Sequence, residues 1–324
     1  MISVIIVTRN RADALEKISL PSLAKQDFKD FEVIVWDGSD KDDSKKVVED
    51  FANKNPSINI KWYKEIRKGI TSSRNDAVKV ARGDIIFFID DDSKVSSDGV
   101  RAIYDAFEEN KDIVGAALPF SQEQYLVDEK NQSKNLEDVV LKTVSKLLLL
   151  NNRTRKKVKI HFLKIFRIDY KESQYVKGLA GCNMAFKKEV FLDHHFEERL
   201  EKFGGYAAGE DSQFTRRLYE EKKKLFITKK GALLHLPAKG GRPENKNFIA
   251  MSIYNRFVVW KTAIYPFKKS SILSFTVRIS GRIVLLYLIY LFHPRKKKYI
   301  KEGLKIGIKE ILNFRYTNIE KRKE

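Results

Sequence analysis

One cysteine in 324 residues, Cys182, is too few for an intrachain disulfide or for a thiolate metal site of its own. That excludes a disulfide scaffold and a zinc finger, and a lone thiol fits a reducing compartment. A leader is also missing, because Met1 runs straight into the strand-like ISVIIVT with no basic segment and no small-residue cleavage site. A cytosolic N-terminus is therefore expected. The chain has no internal repeat, no long low-complexity segment and no G-x-G-x-x-G after its first strand-like run, which disfavours a dinucleotide-dependent dehydrogenase. What is present is globular: 43% hydrophobic, 11% aromatic and 33% charged residues, enough for a large core. The length calls for one large domain with an appendage, or for two domains. The net charge of +20 is uneven. Residues 237–324 hold 20 Lys/Arg against 5 Asp/Glu, a net +15, which leaves +5 for residues 1–236. The basic element is the tail.

Along the first hundred residues β and α patterns alternate. Short apolar runs at Ser3–Thr8, Glu32–Trp36, Ile58–Tyr63 and Ile85–Ile89 read as strands, and Ala12–Ala24, Lys45–Ala52 and Ser72–Ala81 read as helices. Such alternation predicts an α/β fold with a mostly parallel sheet covered by helices, whose ligands bind at the carboxyl ends of the strands. Gln122–Gln174 is irregular and basic, with a helix candidate at Leu136–Leu150 and a basic run at Arg153–Lys159, and reads as an insertion or a substrate-facing element. A strand at Cys182–Phe186, a helix after Gly209, a strand at Lys224–Thr228 and the apolar Ala232–Leu236 follow, and the core domain closes near Pro243.

The strand ends carry the chemistry. Asp90, Asp91 and Asp92 follow Ile-Ile-Phe-Phe-Ile, so three carboxylates emerge together from a buried strand. Their repulsion is relieved by a hard divalent cation, which would keep coordination positions for phosphate oxygens; a solvated acidic turn is the plainer alternative. Asp37, followed by Gly-Ser-Asp, ends a neighbouring strand and suits either an Asx turn or a base edge. Thr8 and Asn10 follow the first strand. Arg74 and Asn75 lie early in a helix, where an arginine suits phosphate or a surface ion pair. Glu210 and Asp211 open a helix, as caps or as a general base, beside the loop glycines Gly204, Gly205 and Gly209. His235, in Ala-Leu-Leu-His-Leu, is either a packed core histidine or an extra metal ligand.

In order, SVIIVTRNR, EVIVWDGSDKD, KGITSSRNDAV, GDIIFFIDDDSKV, GLAGCNMAFKKEVF, GEDSQFTRRL and LLHLP resemble the inverting glycosyltransferases of family 2, which have the GT-A nucleotide-sugar-binding fold. The resemblance covers roughly residues 1–240. It implies that Thr8, Asn10, Asp37, Arg74, Asp90 and Asp91 bind the nucleotide part of a UDP-, GDP- or dTDP-sugar. Asp92 and His235 would hold Mg²⁺ or Mn²⁺, Gly181 and Asn183 would face the acceptor, and Asp211, paired with Glu210, would be the general base. One departure is Trp-Asp-Gly-Ser at Asp37 in place of the usual Asp-Asp-Gly-Ser. The implied reaction is a single displacement with inversion at the anomeric carbon, onto a hydroxyl of a glycan or lipid-linked acceptor.

The tail reads separately. Ile272–Phe292 is long enough to span a bilayer. Arg278 and Arg282 interrupt it, at roughly 2.5–3.5 kcal/mol each near the bilayer centre, and with Ser270 and Ser274 they draw a polar stripe. That favours a helix lying in the interface. Ile300, Leu304, Ile308 and Leu312 alternate with Lys297, Lys301, Lys305 and Lys309, a second basic amphipathic helix suited to an anionic membrane surface. Packing of both helices on the body or on a second protomer is the alternative. The expected organisation is a GT-A domain over 1–243, divided into a nucleotide-binding half (1–120) and an acceptor half (121–243), and a helical membrane-associating tail over 244–324. This places the chain peripherally on the cytoplasmic membrane face. Competing readings are a sugar-phosphate nucleotidyltransferase, which would need a Gly-rich phosphate loop after the first strand, and a nucleic-acid-binding protein, which would need its charge along a groove in the body. Neither condition is met, so no nucleic-acid partner is expected.

Overall fold

The structure, a computed structural model, describes residues 1–122, 172–237, 245–292 and 297–314. The helix expected at Leu136–Leu150, the run Arg153–Lys159 and the boundary at Pro243 lie outside them. Within them, the β-branched and aromatic runs form β1 (Ile2–Thr8), β2 (Phe31–Asp37), β3 (Asn59–Lys64) and β4 (Ile85–Asp90). These pair in parallel in the order β3-β2-β1-β4. Strands β1, β2 and β4 are buried almost throughout, which is why they read as continuous apolar runs, whereas β3 is an edge strand and alternates. The returning helices are α1 (Ala12–Ala14), continued by a π turn at Leu15–Ser19 into α2 (Leu20–Ala24), then α3 (Asp43–Lys54) and α4 (Ile70–Val80).

The second half adds β5 (Ser93–Val95), α5 (Gly99–Glu109), β6 (Ile113–Ala117), β7 (Phe120–Gln122), β8 (Gln174–Val176), β9 (Asn183–Lys187), α6 (Val190–Asp193), α7 (Glu210–Glu220), β10 (Lys224–Ile227) and β11 (Leu233–His235). Beyond β4 the large sheet continues β9-β6-β10-β8. Strand β9 runs antiparallel to both β4 and β6, and β8 antiparallel to β10. A small sheet, β5-β11-β7, crosses the carboxyl end of β4. Adjacent side chains along β4 point to opposite faces, so Phe87 enters the core under one side of the sheet and Phe88 the core under the other. The second core is aromatic: Phe88, Phe186, Phe191, Phe196 and Phe214 meet there, with Phe196 stacked on Phe214 at a centroid distance of 4.4 Å.

The tail is α8 (Asn245–Val259), a π turn at Trp260–Ile264, α9 (Ser271–Phe292) and α10 (Lys297–Leu312). Helix α8 packs on the body, its Ala250, Met251, Tyr254 and Val258 closing a core with Leu200, Phe203 and Ala207. Helix α10 lies very close to α8. A Cβ added at Gly303 would sit 2.6 Å from Ile249 Cβ, and one at Gly307 would sit 2.5 Å from Ile253. No described helix is long and apolar enough to cross a membrane.

One expectation for α9 is reversed. A four-residue repeat on a helix of 3.6 residues per turn drifts by about 40° per step. The stripe that begins at the exposed Ser270 and Ser274 therefore winds inward and ends with Arg282 among Ile279, Ile283 and Leu286, on the face turned to Ile253 of α8. The surface left outside is apolar: Leu273, Val277, Val284 and Tyr287 are 72%, 39%, 46% and 55% exposed.

Candidate active site

The sheet register brings the strand ends together. Thr8 lies opposite Asp37 and Val7 opposite Asp90, so the residues after β1, β2 and β4 share one edge. On the β2 side the loop is closed by its own polar groups. Asp37 is fully buried; one carboxylate oxygen accepts the Ser39 N–H at 2.8 Å and the other the Trp62 indole N–H at 3.1 Å. This is an Asx turn, and it removes Asp37 from the surface a base would touch; its part is to shape the loop. Asn10, at φ 54°, exchanges two hydrogen bonds with Asp40, and its main-chain N–H donates to the Ser39 hydroxyl. Asn10 and Ser39 thus zip the β1 and β2 loops together, with the exposed side of Asn10 outermost.

The acid triplet is held from three directions. Thr8 donates its hydroxyl to Asp91 at 2.7 Å. Arg11 places one guanidinium nitrogen 3.3 Å from both Asp91 and Asp92. Strand β11 pairs with β5 so that His235 lies opposite Ser93, and this sets its Nε2 2.9 Å from Asp92 and 3.8 Å from Asp90. Burial pushes the Asp91 carboxyl up to about 7 despite the Thr8 bond and the nearby Arg11. Burial and the charge of Asp92 raise Asp90 as well. Burial alone would lower the His235 imidazole, but its hydrogen bond to Asp92 and the neighbouring carboxylates outweigh that and raise it. The triplet is therefore short of positive charge for its depth, and its oxygen donors with one imidazole suit a hard divalent cation. Cys182 joins Asp90 and His235 within a 4.8 Å cluster. Burial and the charges of Asp90, Asp211 and Asp92 hold its thiol well above its ordinary value, and a protonated thiol is a poor ligand.

The second group of acids opens α7. Gly209, at φ 93°, turns the chain into the helix, and the loop before it contains two more left-handed glycines, Gly204 and Gly205. Asp211 accepts the Gly181 N–H at 3.0 Å. Glu210 accepts from Arg74 at 2.9 Å; burial and the adjacent Asp211 raise its carboxyl to about 7 against that pairing. Gly181 is held at both ends, since its carbonyl accepts from Arg74 at 3.1 Å, and a Cβ there would sit 3.0 Å from Glu210.

Arg74 joins the two groups. It is 3% exposed, lies over the rings of Phe88 and Phe196, and reaches Asp90 at 3.7 Å as well as Glu210 and Gly181. With every face engaged it positions acids and does not present itself to a nucleotide. Asn183 is likewise internal: its amide donates to the Leu118 carbonyl and accepts from the Leu118 N–H. Backbone pairing of β6 with β9 stops at Gly115 and Ala116, and the Asn183 side chain supplies the next rung, so it is not available to an acceptor. Sequence reasoning missed Arg11, Cys182 and Trp62. The signal for Arg11 was a cation beside Asn10 facing an acid triplet that lacked one.

Residues 3–194 match the family model described as "Glycosyl transferase family 2". The chain belongs to glycosyl transferase family 2. Among curated relatives, the GalNAc(5)-diNAcBac-PP-undecaprenol beta-1,3-glucosyltransferase of Campylobacter jejuni is 35% identical over 96 residues, 30% of this chain and 31% of that protein. The chondroitin synthase of Escherichia coli is 26% identical across 98% of this chain and 46% of its own length. The chain thus spans less than half the length of these relatives. Among solved structures, S. aureus TarS 1–349 in complex with UDP-GlcNAc matches with a TM-score of 0.51 at 17% identity, over 98% of this chain and 93% of that one. The mannosyltransferase PcManGT from Pyrobaculum calidifontis, in complex with GDP-Man and Mn²⁺, matches at 0.53 and 15% identity, over 96% and 86%. At that identity the likeness concerns the fold, which is GT-A, as the motif order implied.

Proposed function

We propose that this family 2 member moves a sugar from a nucleoside diphosphate sugar to a hydroxyl of a lipid-linked or polysaccharide acceptor, by a single displacement with inversion. The observation that carries the reading is the span of Arg74, whose one guanidinium touches Asp90 at the end of β4 and Glu210 at the start of α7. A single side chain therefore sets the gap between the phosphate-facing acids and the acids that meet an acceptor. Asp92 and His235, with Asp90 beside them, would hold Mg²⁺ or Mn²⁺, which when bound offsets the charge of a departing nucleoside diphosphate. Asp211 takes the proton from the acceptor hydroxyl. Its carboxylate is oriented by the Gly181 and Ser212 N–H groups, and Glu210, tied to Arg74, fixes the helix turn beneath it. The Thr8 hydroxyl and Arg11 keep Asp91 turned inward, so that Asp90 remains the exposed member of the triplet.

The tail supplies the address. Its lysines and the outward apolar stripe of α9 support a peripheral position on an anionic membrane surface, the cytoplasmic face in this reading. The test is a thermal-shift screen of UDP-, GDP- and dTDP-sugars with and without Mn²⁺, followed by turnover on the sugar that binds. Asp211→Asn should keep the shift and lose turnover by at least about 100-fold, and Asp92→Asn should lose the Mn²⁺-dependent part of the shift. Full turnover in Asp211→Asn, or no shift with any nucleotide sugar, overturns the reading.

A further inference from the structure

Two arginines in the tail lie where a soluble helical hairpin would place leucine. On α8, Arg256 is one turn beyond Ile253, and on α9, Arg282 lies between Ile279 and Leu286; these apolar neighbours form one small core with Ile300 of α10. Arg282 has its Nε buried with no hydrogen-bond partner, and no ion pair reaches it among the described residues. Arg256 donates to the Ser252 carbonyl at 2.8 Å. Burial holds both guanidinium groups below their ordinary range, Arg256 at about 9, and the charge of Arg282 depresses Arg256 further. The two cations therefore share one apolar site. Neither is sealed, since both residues retain partial exposure.

Two like charges in an apolar setting are costly unless an anion joins them, and leaving a buried guanidinium nitrogen unpaired adds to the cost. Forked N–H donors on two sides match a tetrahedral polyoxygen anion better than a monatomic one. Helix α9 also turns its apolar stripe outward at Leu273, Val277, Val284 and Tyr287, so this site lies on the far side of a helix suited to lipid. From these observations we propose that Arg256 and Arg282 form a binding site for a lipid phosphate group, separate from the acids of the sheet edge. The group is a phosphate or diphosphate ester, borne by a bulk phospholipid or by a lipid-linked sugar carrier. No step of sugar transfer enters the inference, and its test uses no nucleotide sugar.

The full chain is compared with Arg282→Met and Arg282→Lys. Pyrophosphate is titrated by thermal unfolding in EDTA, which keeps metal away from the acid triplet. Separately, flotation is measured on phosphatidylcholine vesicles whose negative charge comes either from phosphatidic acid or from oleate at equal density. Wild type should bind phosphatidic acid vesicles at least fivefold more tightly than oleate vesicles, Arg282→Met should show no preference, and Arg282→Lys should fall between them. A pyrophosphate-induced rise in Tm that is lost in Arg282→Met assigns recognition to the phosphate alone; preference in the vesicle arm only assigns it to the lipid-borne group. Without ligand, Arg282→Met should melt no lower than wild type, since it removes an uncompensated charge. Should it fail to fold, Arg256→Met takes its place in both arms. If wild type and the methionine variant respond alike to pyrophosphate and to both vesicle types, the inference is wrong.

Discussion

The Glu32 carboxylate accepts hydrogen bonds from the Ser3 hydroxyl at 2.7 Å, the Arg82 main-chain N–H at 2.7 Å and the Arg82 guanidinium at 2.9 Å. Burial works to raise its pKa, and these bonds together outweigh it and hold the group below the usual carboxylate range. A depressed folded value means that the stabilisation is complete above the unfolded pKa and is lost as pH falls through the folded one. Glu32→Gln is expected to lose about 1 kcal/mol at neutral pH and to flatten the acid side of the stability curve, as measured by urea unfolding from pH 7 to pH 3. The residues of the candidate site were legible as types at strand ends, but their partners were not. Asp37 carried two readings, base contact and Asx turn, and only the Trp62 indole 25 residues away decides for the turn. Arg74 was readable as a phosphate ligand because its true partner, Glu210, lies 136 residues downstream.

Among the elements, a strand buried on both faces announces itself as an unbroken apolar run, and so β1, β2 and β4 could be placed to within a residue or two. Direction is another matter. The apolar Cys182–Phe186 reads the same either way, and only the topology inserts β9 antiparallel between β4 and β6. The tail shows the opposite difficulty. Its helices were legible, but the side that α9 turns outward depends on what α8 offers it. Gly303 and Gly307 looked like weak points in a helix and are instead where α10 meets α8 most closely. Gly303→Leu is expected to destabilise this packing by roughly 1–3 kcal/mol, through overpacking against Ile249 and the Lys246 carbonyl. The observable is a lower thermal midpoint with faster limited proteolysis in residues 297–314 while the sheet domain stays protected; an unchanged midpoint would contradict the close contact.

For the molecule as a whole, the uneven charge becomes a surface. Lys297, Lys298, Lys301, Lys305 and Lys309 are all exposed on α10, and in the same tail α9 exposes apolar side chains. Each lysine near an anionic bilayer contributes about 1 kcal/mol, and the contribution is screened by salt. Replacing Lys301, Lys305 and Lys309 together with glutamine is expected to weaken binding to phosphatidylglycerol vesicles by roughly 100-fold at low salt, while the weak binding to neutral vesicles stays the same. Co-sedimentation across a salt series checks this, and equal loss on both vesicle types would assign the binding to apolar contact alone. The basic balance was legible from composition; that it belongs to a part packed on the body was not.

Asn255 deserves a last look for what it ties together. From α8 its amide donates to the carbonyls of Leu200 and Ala208, both at 3.1 Å, and from the end of the same segment Thr262 accepts from Gln213 of α7 at 3.0 Å. The loop that leads to Asp211 is thus pinned to the tail from both sides. Whatever surface the tail rests on becomes the floor from which Asp211 is measured, so the reach of the enzyme is a fixed height, set by the length of a few side chains.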